Sequence, residues 1–174
     1  WTDVSGIFTS NPKLVKQAVP IDSLSYEEAM ELSHFGAKVL YPPTIQPVMS
    51  KNIPVFIKNT FSKNDKGTLI SSNSSNKSII KGITHIKNIS LLTIEGSGMI
   101  GIPGFSKKLF EEISNNNINI IMITQASSEH SICIGINDTD SVNAKKIIDE
   151  AFKYEIENSI LSPSKIESKL SIIA

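Results

Sequence analysis

From "NISLLTIE" at residues 88–95 to a last strand within Ser159 to Ser168, the apolar spacing switches between period two and a period of about 3.6 in the order β-α-β-β-α-β. Few folds accept that order. "GFSKKLFEEISNNN" puts Phe105, Leu109, Phe110 and Ile113 on one helical face, and "INIIMITQ" and "HSICIGI" follow as strands joined by a short polar turn at Ala126 to Glu129. "DSVNAKKIIDEAFKYE" predicts a second helix, capped by Asp140 or Ser141, that buries Val142, Ile147, Ala151 and Phe152. The expected result is the split ferredoxin-like arrangement, an antiparallel sheet with both helices on one face. "KLSIIA" starts a further apolar run at the end of the chain.

The first part of the chain obeys a different grammar. In "SLSYEEAMELSHFGAK", Ser25 and Glu28 have the spacing of a capping box, so a helix starts there and ends near Gly36. Pro42-Pro43 permits a new helix start at "TIQPVMSKN", and "IPVFIKNT" reads as a strand. This is an α/β segment. "SSNSSNKS" at residues 71–78 has almost nothing to bury and separates the two parts as a solvated connector. The opening "WTDVSGIFTSNPK" has neither an initiator Met nor a basic and apolar leader, and reads as the middle of a longer chain.

Composition excludes several classes. Lys+Arg and Asp+Glu are equal at 17 each, so the basic surplus that neutralises nucleic-acid phosphates is missing. No apolar run approaches the roughly 20 residues that span a bilayer. The single Cys133 rules out an intrachain disulfide framework and suits a reduced, cytoplasmic compartment. His34, His85 and His130 lack metal-ligand spacing, so no metal site is assigned to protein ligands.

Three motifs carry chemistry locally. In "EGSGMIGIPG", Gly96, Gly98 and Gly101 spell G-x-G-x-x-G after a strand, as in a dinucleotide fold. Pro103-Gly104 then intervene before the helix, the next strand ends in Gln125 where an acid is needed, and the strand after it returns as a near-hairpin. A dinucleotide site fails on these grounds. A tight turn, or a carboxylate site on outward amides, remains. Gln125 in "ITQASSEHS" can pair with a zwitterion or simply face solvent in a polar turn. Lys38 in "HFGAKVLYP" can meet a phosphate or lie on the surface as an ordinary lysine.

Read together, "WTDVSGIFTSNPK", "LSYEEAMELSHFGAKVLYPPTIQPV", "IPVFIKNTFSKNDKGTLIS" and "ITQASSEHSI" resemble aspartate kinase over essentially the whole chain, most closely the aspartokinase part of bifunctional aspartokinase/homoserine dehydrogenases. The resemblance implies that residues 1–70 end an amino-acid-kinase α/β domain, 71–78 link, and 89–168 form a ferredoxin-like ACT regulatory domain. Residues 79–88 and 169–174 would then be strands of a second, incomplete ACT unit. It implies the reaction of ATP with L-aspartate to give ADP and 4-phospho-L-aspartate, with Mg2+. It further implies a homodimer or higher assembly through ACT pairing, with small-molecule substrate and amino-acid effector as the other partners.

By the same resemblance, Thr2, Asp3, Phe8, Lys13, Lys38 and Val39 match nucleotide contacts. Phe8 stands where Tyr is frequent, Asn11 where Asp is frequent, and Lys13 where Arg is usual, so a bidentate phosphate fork becomes a point charge. Ile123, Gln125 and Ala126 match a threonine-contacting strand, and Met99, Ile102, Gly104 and Phe105 match the effector loop of lysine-sensitive relatives. Threonine is the expected feedback inhibitor. No position matches the catalytic residues or the phosphate-binding lysine and glycine motif of the family, so the chain alone is expected to be inactive as a kinase. The alternative is an amino-acid-binding regulatory ACT module without a catalytic role.

Overall fold

The computed structural model describes residues 1–34, 39–74, 78–125 and 130–174. They divide into one unit of residues 1–86 with 173–174, and a second of residues 87–172.

In the first unit the order is β1 (Ser23–Ser25), α1 (Tyr26–His34), a 3-10 turn at Pro42–Thr44, α2 (Ile45–Met49), β2 (Val55–Ile57) and β3 (Thr68–Ser71). The sheet order is β1-β3-β2, with β1 parallel and β2 antiparallel to β3. The capping box forms as the sequence predicts. The Glu28 amide donates to Ser25 Oγ at 3.1 Å, and the Ser25 amide donates to Glu28 Oε2 at 2.7 Å, so two otherwise unpaired amides at the helix start are satisfied. Pro42 opens the second helical segment because its missing N–H removes an amide that had no partner there. Ile7, Ile21, Leu24, Tyr26, Ala29, Leu32, Ile45, Ile57 and Ile70 make the core. The Tyr26 ring joins that core while its hydroxyl donates to the Ile53 carbonyl at 2.8 Å.

The second unit is built from β4 (His85–Glu95), α3 (Phe105–Asn115), β5 (Ile120–Gln125), β6 (Ser131–Asn137), α4 (Ser141–Ala151), α5 (Lys153–Glu157) and β7 (Lys165–Ile173). Sheet order is β5-β6-β4-β7, and β6 runs antiparallel to both β4 and β5. Leu92 and Ile94 of β4 and Ile132, Ile134 and Ile136 of β6 pack with Leu109 and Ile113 of α3 and Ala144 and Ile148 of α4 into one core. This is the βαββαβ order read from the sequence.

The structure differs from the sequence reading at five places. Val142 lies outside the buried face, at 81% exposed, and Ala144 and Ile148 occupy the inner stripe of α4 instead. No side chain caps α4: Ser141 Oγ donates to the Asp138 carbonyl, a bond that closes the preceding 3-10 turn. The expected single helix breaks at Phe152, whose φ of −101° and ψ of 20° leave the helical region and let its ring turn into the core. Finally, β7 is continuous from Lys165 to Ile173, so no gap separates the last expected strand from "KLSIIA". Residues 79–84 carry no strand, and β4 runs unbroken through the expected boundary at residue 88.

Candidate functional site

Two groups of sequence-predicted residues need placing, one in each unit. Thr2 sits between residues of the chain after β2: its amide donates to the Lys58 carbonyl at 2.9 Å, and the Thr60 amide donates to its carbonyl at 2.8 Å. Thr2 Oγ1 donates to Asp3 Oδ1 at 3.2 Å. Phe8 bridges to Pro20, and flanking bonds from the Thr9 amide to the Val19 carbonyl and from the Ile21 amide to the Ile7 carbonyl close a loop over residues 10–18. Lys13 lies exposed on that loop. Its amide donates to Asn11 Oδ1 at 2.9 Å, so the amide oxygen of Asn makes the turn an Asp oxygen would make. Val39 packs against the first core, and Lys38 lies outside the described residues.

Phe8 lines a cavity of about 450 Å³ with Ser5, Pro20, Asp22, Asp65, Lys66 and Gly67. Thr2, Asp3, Lys13 and Val39 do not line it. Ser5, Asn59 and Asp65 were not singled out by the sequence. The Ser5 hydroxyl donates to Asp65 and accepts from Asn59 Nδ2 at 3.0 Å, contacts that join positions 60 and 54 residues apart. No local signal marks such a network.

In the second unit, the glycine motif turns out to be a packing device. A Cβ at Gly96 would fall 2.4 Å from the Ile160 carbonyl oxygen, and one at Gly98 would fall 1.9 Å from Ile160 Cγ2. Their amides are also used, by the His130 carbonyl at 3.0 Å and the Ile160 carbonyl at 3.3 Å. Neither amide is left to hold a pyrophosphate. The loop they start carries the predicted effector positions, which do not share one environment. Met99 is buried and anchors the loop in the core, whereas Ile102 is 52% exposed and Gly104 has open space around it. Phe105 stacks on Phe152 with centroids 5.4 Å apart and planes 10° from parallel. Lys108 Nζ lies 4.5 Å over the Phe152 ring and donates to Glu155 Oε1 at 2.8 Å, tying the end of the loop to the break between α4 and α5. Ile123 and Gln125 are exposed on β5, an edge strand, and Ala126 lies outside the described residues.

Three carboxyl groups of this unit are held below their ordinary values. The Ser90 hydroxyl and then the Lys169 amide lower Asp138. Burial pushes Asp149 up, but hydrogen bonds from Lys145 and Ser164 outweigh it. Burial likewise pushes Glu155 up and is overcome by Lys108. The unfolded chain therefore binds more protons than the folded one between the lowered and the ordinary values. Stability is fully present above the ordinary carboxylate value of about 4 and falls as pH drops through the folded values. Urea midpoints should be flat from about pH 7 to 5 and decline below about 4. A midpoint that rises on acidification would contradict these assignments.

Among the described residues no His, Cys, Asp and Glu group could hold a metal ion, and no helix is long and apolar enough to cross a membrane.

Residues 1–59 match the model of the amino acid kinase family, and residues 92–152 match the ACT domain model. The whole chain is 41% identical to the bifunctional aspartokinase/homoserine dehydrogenase of Haemophilus influenzae, of which it spans 22%. The crystal structure of Clostridium acetobutylicum aspartate kinase superposes on 99% of the chain with a TM-score of 0.86 at 30% identity, with 40% of that protein covered. Escherichia coli aspartokinase III, solved with lysine and aspartate in its T-state, gives a TM-score of 0.80 at 29% identity over 99% of the chain and 38% of that protein. The same enzyme was also solved with aspartate and ADP in its R-state. The chain thus spans between a fifth and two fifths of the length of these proteins.

Proposed function

We propose that this chain, a homologue of the aspartokinases along its whole length, is the part of an aspartate kinase where the end of the catalytic domain joins its feedback-regulatory ACT domain. The observation that carries this reading is the order of two family matches, amino acid kinase and then ACT domain, within a chain that aligns end to end with a bifunctional relative. The complete protein would transfer the γ-phosphoryl group of ATP to the side-chain carboxylate of L-aspartate, with Mg2+ neutralising the phosphates.

Residues 1–70 are read as the closing part of the kinase domain and 89–168 as an ACT domain. Residues 79–88 and 169–174, which hold the start of β4 and the end of β7, are proposed to contribute also to a second ACT unit. Phe8 and Pro20 supply a flat apolar wall, and Asp22 and Lys66 polar groups beside it, which suits a nucleoside. Two of the amides at the described nucleotide positions are already taken. The Thr2 amide is used by Lys58 and the Lys13 amide by Asn11. Phosphate charge would fall to the ammonium groups of Lys13 and Lys38. Asp3 and Val39 complete the set.

In the ACT domain, Ile123, Gln125 and Ala126 are proposed to hold the effector at the edge of β5, where a second copy completes the site. Met99, Ile102, Gly104 and Phe105 form the responding loop. Threonine is the proposed inhibitor on the sequence resemblance of Ile123, Gln125 and Ala126 alone, and the lysine-sensitive relative matches the chain less closely than several bifunctional ones do. An inhibitor that binds the inactive arrangement more tightly shifts the population toward it. The single thiol, Cys133, is compatible with a reducing compartment such as the cytoplasm.

The test has two parts. The complete protein should release ADP from ATP only when aspartate is present. Titration calorimetry should give saturable heat with threonine, weakened about tenfold or more by Gln125→Ala, because a buried zwitterion loses charge-assisted hydrogen bonds. Heat with lysine and none with threonine would reassign the effector. Aspartate-independent turnover would overturn the kinase reading.

A further inference from the structure

Both chain connections between the two units run through neighbouring strands: the divisions fall at 86/87 in β4 and at 172/173 in β7. Each of these strands contains a non-glycine residue in the left-handed region, Asn88 at φ 59° and Lys169 at φ 61°. The two kinks lie in the same stretch of this strand pair. Thr84 and Ala174 exchange backbone hydrogen bonds of 2.8 and 3.0 Å, and six residues further along β4 the Ser90 hydroxyl lies 3.0 Å from that of Ser168. Asn tolerates this conformation because its short amide bonds locally, whereas Lys has no such compensation.

What holds Lys169 there is a side chain from another strand's end. Asp138 follows β6, and β4 lies between β6 and β7 in the sheet. Its Oδ1 accepts the Lys169 amide at 3.1 Å and the Ser90 hydroxyl at 2.5 Å, so the carboxylate reaches across β4. Ser90 is fully buried, and its hydroxyl depends on this carboxylate and on Ser168. Lys169 is thus in the left-handed region while its amide bonds to Asp138. One carboxylate therefore ties three strands together at the double kink.

We propose that Asp138 is a latch that fixes the kinks at Asn88 and Lys169 and so holds β4 and β7 in place at this end of the ACT sheet. It is a positioning residue. The step from this latch to feedback control rests on the regulatory reading above, in which effector binding to this unit lowers the activity of the complete protein.

Hydrogen exchange on this chain tests the latch without any ligand. In Asp138→Ala, amides of residues 85–90 and 165–172 should exchange about tenfold faster, the loss expected for a hydrogen bond to a charged group, with helix α3 unchanged. Asp138→Asn keeps an acceptor oxygen and should recover most of the protection. Adding Lys169→Gly to Asp138→Ala should also recover part of it, because glycine adopts the kink freely. Unchanged exchange in Asp138→Ala, or uniform loosening of the whole unit without rescue by Lys169→Gly, overturns the latch. In the complete protein, Asp138→Ala should raise the half-inhibiting threonine concentration about fivefold with uninhibited turnover intact, within the usual range of coupling energies. Loosened strands with an unmoved inhibition curve overturn its regulatory part. A parent protein insensitive to any amino acid would instead sink the effector reading, while the exchange data still judge the latch.

Discussion

Replacing Phe152 with Ala is expected to cost the ACT unit about 3–5 kcal/mol, the range for emptying a fully buried aromatic site. That is a large part of the total stability of an ordinary domain. Phe152 is 1% exposed, carries the stacked Phe105 ring on one side and has the Lys108 ammonium over its face. It also sits at the break between α4 and α5, so the void cannot be filled by a simple helix shift. Urea unfolding followed by far-UV circular dichroism should show the transition of this unit moving to low denaturant. The tryptophan signal should move less, because Trp1 is in the other unit. Phe152→Leu, which retains most of the volume, should recover more than half of the loss. A cost below about 1 kcal/mol would mean that the site collapses freely and that the Phe105 stack contributes little. The consequence for function is direct, since Phe105 ends the proposed effector loop.

Gly96→Ala is the second large effect, expected at about 3 kcal/mol, the upper part of the range for forcing one methyl into a packed site. The backbone conformation is not the reason: φ at Gly96 is 169°, an extended value open to any residue. The obstacle is the Ile160 carbonyl oxygen at 2.4 Å and Leu161 Cα at 2.8 Å, both backbone atoms that cannot rotate away. Thermal unfolding of the variant should be lowered by about 10 °C or more, given the usual conversion for a domain of this size. The outcome also separates two meanings of the glycine motif. In a nucleotide loop the methyl would block a ligand and leave the fold intact. Here it should destabilise the unit in the absence of any ligand, and an undiminished melting temperature would refute the packing account.

Much of this was legible in one dimension because it depends on neighbours along the chain. Ser25 and Glu28 are three residues apart, so their reciprocal bonds need only the first helical turn. Leu109 and Ile113 recur at the helical interval, so their burial follows from period alone. The glycine loop fails as a dinucleotide site on Pro103-Gly104, on Gln125 and on the returning strand, all within some forty residues, yet what it packs against lies more than sixty residues further on. No local pattern contains Ile160. The same holds for the Phe8 cavity, where Ser5 meets Asp65, and for Asp138, which meets Ser90 and Lys169 from 48 and 31 residues away.

The errors have the same origin. Val142 is apolar and near the face of α4, but the helix is turned so that Ala144, Ile148 and, just past its end, Phe152 enter the core. Propensity and period determined that the chain would make these strands and helices in this order, since both act over a few residues. Only the tertiary structure decided which glycines are crowded, which apolar side chain faces water and which carboxylate spans three strands, because those depend on atoms brought together by folding across long separations in sequence.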